Sequence, residues 1–139
     1  MCQRMLLFFM LITREEQFFR LISPVYFFLH LSRKAYAKYL ENKIFLHAKN
    51  IRAANIKVCS VLENSAAYIP AGLFDDAIAL LNHYGIWMAQ FDEWEKERNP
   101  RLIDPFVFYH LDDQSAFPKE AEQHFFEYYE NLKQELSYD

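Results

Sequence analysis

Glycine is nearly missing from this 139-residue chain, which has only Gly72 and Gly85. A phosphate-cradling loop or an all-β fold with tight turns needs several positions at positive φ, so this scarcity argues against both and favours helices. Cysteine is equally scarce. Cys2 and Cys59 set up no disulfide framework, and two unpatterned thiols suit a reducing, cytoplasmic setting. Cys59 falls on an apolar helical stripe and reads as a small buried hydrophobe. Long apolar runs are missing too. The stretch Phe18 to Leu31 is interrupted by Arg20, Pro24 and His30, short of the roughly 20 residues that span a bilayer. The run Met5 to Ile12 follows Arg4 as in a signal peptide, but Arg14, Glu15 and Glu16 come next with no small-residue cleavage site. No membrane partner is expected.

Several chemistries are absent by spacing. There is no His-Glu-x-x-His zinc motif, no Glu-x-x-His carboxylate-bridge motif, no Gly-x-Ser-x-Gly elbow and no closely spaced Arg–His pair of the kind found in helical ribonucleases. No catalytic residue, metal ligand set or cofactor is assigned. His110-Leu111-Asp112-Asp113 offers His110 and Asp112 as the residues to name if the protein were an enzyme, against the simpler reading of a solvated turn. Glu120, His124 and Glu127 share one helical side, where exposed pairing is the simpler reading.

What is present is apolar and aromatic: 53% of residues are hydrophobic and 18% aromatic, with fourteen Phe and nine Tyr. At this length the chain fits one domain, residues 1–139, with 1–12 as a loosely attached lead-in. Thr13-Arg14-Glu15-Glu16 has the form of a capping box, so folded structure is expected from about Thr13. A short helix is expected to about Ile22, and Ser23-Pro24 reads as the cap and first position of a second helix. Ile44, Ala48, Ile51, Asn55, Val58, Leu62, Ala66 and Ile69 recur at helical spacing. Whether residues 24–69 form one helix or two stays open, because Glu41 to Lys43 contains no strong breaker. Asn55, polar within this stripe, predicts a buried polar contact. Pro70-Ala71-Gly72 ends the helix. After a helix over about 73–98, Asn99-Pro100 breaks the chain and an irregular or extended cover segment occupies about 100–117. A last helix starts after Phe117-Pro118, with the stripe Ala121, Phe125, Tyr128, Leu132 and Leu136. The fold expected is all-α, a compact four- or five-helix bundle with one cover segment.

Two features bear on function. The helix over 73–98 carries Phe74, Ala77, Ile78, Leu81, Tyr84, Met88 and Phe91 as one apolar face, and Leu80, His83, Trp87 and Trp94 as another. Two apolar faces mean that the helix is buried on both sides, either central in the bundle or with its second face against another chain, and paired tryptophans, which resemble interface anchors, favour the interface. The other feature is charge. Residues 30–58 hold seven cations against Glu41, a net of +6, whereas 59–139 hold five cations against sixteen acids, a net of −11. Basic and acidic helices meeting at the rim, phosphate or nucleic-acid binding, and pairing between protomers all fit this separation. The function expected is a non-enzymatic helical interaction or regulatory module that self-associates through Leu80, His83, Trp87 and Trp94, as a homo-oligomer or with a protein partner. The alternative is nucleic-acid or nucleotide binding by the basic helix 33–57, through Lys34, Lys38, Lys49 and Arg52.

Overall fold

The computed structural model describes residues 12–108 and 116–137. The lead-in and the His110–Asp112 candidate, together with the 109–115 part of the cover segment, lie outside the described residues.

The all-α expectation holds: the described residues form helices and short turns, with no strand. Thr13 caps α1 (Arg14–Gln17), its Oγ1 accepting from the Glu16 amide at 3.0 Å. Beyond α1 the expected break at Ser23-Pro24 does not occur. A π-helical turn, Phe18–Ile22, runs straight into α2 (Ser23–Glu41), and both Ile22 and Ser23 are right-handed helical. In a regular helix Pro24 would press its ring on the carbonyl four residues back. The wider turn, in which the Ser23 amide donates to the Phe18 carbonyl, lets the proline pass without ending the helix.

The undecided stretch after Leu40 resolves into two helices, with α2 ending at Glu41 and α3 spanning Phe45–Asn64. No local side chain caps α3. Its first amides, from Phe45 and Leu46, donate instead to the carbonyls of Asp104 and Leu102 at 2.9 Å each, and the Phe106 amide donates to the Lys43 carbonyl at 2.9 Å. The break is therefore imposed by a segment some sixty positions further along the chain, and no local pattern could reveal it. Two 3-10 turns flank Pro70 before α4 (Phe74–Arg98). Asn99, left-handed at φ 43°, ends α4, a conformation that Asn tolerates better than most residues. The last helix is α5 (Lys119–Glu135), with Ala121, Phe125 and Leu132 buried as its stripe predicts.

The short link between α2 and α3 makes them a tightly packed hairpin, and α5 lies against α4, α2 and the π turn. The interior has two parts. The larger joins Leu21, Val25, Leu29, Val58, Leu62, Leu80, Tyr84 and Phe125. The smaller is aromatic, built from Tyr39, Phe45, Trp87, Phe91, Trp94 and Phe106. Asn55 is buried as expected, its Oδ1 accepting from the Ser32 hydroxyl at 2.5 Å. Among the described residues no helix is long and apolar enough to cross a membrane.

Candidate functional site: an open helix face and a basic groove

The buried residues of α4 are Ala77, Leu80, Tyr84, Trp87, Phe91 and Trp94. They alternate steps of three and four, which is one core stripe and not two. It takes members from both faces inferred from sequence, so those faces were divided wrongly. Its C-terminal half is closed by the chain's own cover segment. Phe106 is fully buried against Phe45 and Phe91, while Phe108 stacks on Trp94 and meets Trp87 edge to face. The Tyr39 hydroxyl fastens this lid, donating to the Phe106 carbonyl at 2.7 Å and accepting from the Phe108 amide at 3.2 Å.

This corrects the expected interface. Trp87 and Trp94 are 7% and 8% exposed, Leu80 is fully buried, and His83 packs edge-on against Phe117. The tryptophans anchor an intrachain lid and are not available to a partner. The open side of α4 holds two of the residues assigned to the core from sequence. Phe74 and Ile78 are 50% and 54% exposed, and Gly85 and Ala89 continue the same side. A side chain added at Gly85 would meet nothing within 4 Å. From Ala77 to Phe91 the helix carries no Asp, Glu, Lys or Arg, and Ile86 is also half-exposed.

The expected phosphate-binding set is divided. Arg52 chelates Asp92 of α4, Nε to Oδ1 at 2.8 Å and a second nitrogen to Oδ2 at 3.0 Å, and lies over Phe91. Lys49 lies over the Phe45 ring. Arg33, on the same basic stretch, pairs with the buried Glu122 of α5. Part of the charge separation is thus spent at the rim between basic and acidic helices. Lys34 and Lys38 face elsewhere, and join Lys57 in a groove between α2 and α3. Its volume is about 390 Å³, and its lining is completed by Leu31, Ala35, His47, Asn50, Ala53 and Ala54.

Small alanines on both helices open this groove, and no carboxylate lines it. Lys34 and Lys38 repel each other one helical turn apart, which costs a few tenths of a kcal/mol. His47 Nδ1 is shut off from solvent with no hydrogen-bond partner among the described residues, a situation that costs about 1–3 kcal/mol. Lys57 and His47 were missed from sequence. The signal was there, since Lys57 belongs to the same basic stretch, but choosing it over Lys49 required knowing which side of α3 meets α2.

Other titratable groups have structural partners. His124 Nδ1 lies 3.0 Å from both oxygens of Asp76, joining α5 to α4, and this hydrogen bond and charge raise its pKa above the ordinary histidine value. His124 therefore pairs across helices and not with Glu120 or Glu127 on its own. Burial pushes the Cys59 thiol up to about 11, with Glu63 adding to the shift, so it stays protonated and unreactive at neutral pH. Among the described residues no three His, Cys, Asp or Glu group as a metal site. Comparison with protein-family models, curated proteins and solved structures finds no match to this chain.

Proposed function

We propose that this chain is a non-enzymatic interaction module that assembles with a second copy of itself through the open face of α4. The observation that carries the reading is the exposure of Phe74 and Ile78 on a helix uncharged from Ala77 to Phe91. Apolar side chains grouped in solvent, here beside the exposed Asn82, mark contact sites in soluble proteins.

A second copy fits the face because the patch is uncharged along its middle and can meet itself. Acids stand in the first turn at Asp75 and at Asp76, the latter paired with His124, and Lys96 and Arg98 stand in the last among Glu93, Glu95 and Glu97. Asp92, near that last turn, is already neutralised by Arg52. Two such helices crossing antiparallel about a two-fold axis would set the uncharged middle of one on that of the other. Gly85 and Ile86 lie midway between Asp75 and Lys96, so a glycine with open space around it sits at the crossing, where backbones approach closest. The setting is a reducing, cytoplasmic one, in keeping with a buried, unpaired Cys59.

Sedimentation equilibrium of Ile78→Glu beside the unaltered chain tests this. The unaltered chain should be dimeric and the variant monomeric with the same helical content. Equal masses for both would refute the assignment of the face.

A further inference from the structure

The groove between α2 and α3 lies apart from the open face of α4, and its chemistry is independent of self-assembly. We infer that this groove binds a compact, multiply charged phosphate ligand, such as the triphosphate group of a nucleotide.

The groove fits that ligand class from both walls. Lys34 and Lys38 project from α2 and Lys57 from α3, with Asn50 and His47 between them. Three lysines line this one groove with no carboxylate among its lining, the Lys57 ammonium lying over the Phe28 ring at its edge, so an anion there replaces mutual repulsion by attraction. His47 and Asn50 add polar side chains to the groove's lining. The alanine floor leaves about 390 Å³, within the roughly 300–1,000 Å³ of small-ligand sites.

A long nucleic-acid strand fits less well. Tracking its backbone needs a continuous basic path, and the cations that would extend the path are engaged: Arg33 with Glu122 and Arg52 with Asp92. Beyond them α4 and α5 present Glu93, Glu97, Glu120 and Glu127, all exposed acids, which repel a polyanion. The ligand that satisfies the groove without meeting these acids is a short one.

The test is titration calorimetry of the full chain with inorganic triphosphate. One site per chain is expected, weakening as salt rises. Changing Lys34→Gln together with Lys57→Gln should weaken binding about tenfold or more, as expected for lost charge-assisted bonds. Lys49→Gln, on α3 but outside the groove, should leave it unchanged. Circular dichroism of each variant checks that the helices stay intact. Adenosine triphosphate should compete for the same site, and affinity above that of inorganic triphosphate identifies a nucleotide as the source of the phosphates. Absence of saturable binding, or equal losses in the Lys49→Gln and groove variants, would overturn the inference. So would affinity for a thymidine homopolymer that grows with its length and is not displaced by triphosphate.

Discussion

Two sides of α4 carry large apolar residues, and they end in opposite situations. One carries Tyr84, Trp87, Phe91 and Trp94 into the interior. The other leaves Phe74 and Ile78 half in solvent. Hydrophobicity does not separate them, since the open face has no charge between Ala77 and Phe91. The difference is made by a piece of chain with no helical period, residues 101–108, which folds back over one face and is held there by Tyr39 and by the first amides of α3. Apolar pattern states which surfaces gain from being covered. Topology decides which of them the chain covers itself and which it leaves open.

The largest expected effect comes from opening the closed face. Phe106→Ala removes a fully buried ring from between Phe45 and Phe91 and should lower unfolding free energy by about 3–5 kcal/mol in a urea titration. A loss under about 1 kcal/mol would mean that the cover segment is not part of the core. Next is Tyr39→Phe, which keeps the ring but leaves the Phe106 carbonyl and Phe108 amide without the hydroxyl. It should cost about 1–3 kcal/mol and speed hydrogen exchange at Phe45 and Leu46, whose amides depend on the same segment. Smaller again is the rim pair Arg52–Asp92, partly exposed on both sides. A double-mutant cycle should give about 0.2–1 kcal/mol, falling with added salt.

The smallest effect is a pH dependence. Because Asp76 raises the folded-state pKa of His124, protonated His124 favours the folded state. Its contribution is fully present below the unfolded histidine value of about 6.5 and is lost as pH rises through the higher folded value. Melting temperature measured across that window should fall with rising pH, and Asp76→Asn should remove this component. An unchanged pH profile in Asp76→Asn would show that the pair does not couple α4 to α5.

Much of the fold was legible in the sequence. The capping Thr13, the stripe of α3, the buried Asn55 and the last helix's Ala121, Phe125 and Leu132 all come from local periodicity. The features that escaped depend on distant parts of the chain. The Glu41–Ile44 break is set by carbonyls at Leu102 and Asp104, and Pro24 passes because the Phe18–Ile22 turn widens. On α4, where two sides carry large apolar residues, the face that turns inward is fixed by Phe106 and Phe108, so the tryptophans read as interface from sequence and Phe74 and Ile78 read as core. The groove was half legible. Lys34 and Lys38 are one turn apart on one helix, while Lys57 and His47 join them only through the α2–α3 pairing, which also turns Lys49 and Arg52 away.

If the open face of α4 is where two copies meet, light scattering across a concentration series, at low and high salt, should register it without any assumption about the groove. The expected result is a dimer of the 16.8 kDa chain that persists in high salt, as an apolar contact should, and that Ile78→Glu dissolves. A monomer at every concentration, or a dimer untouched by Ile78→Glu, would contradict it.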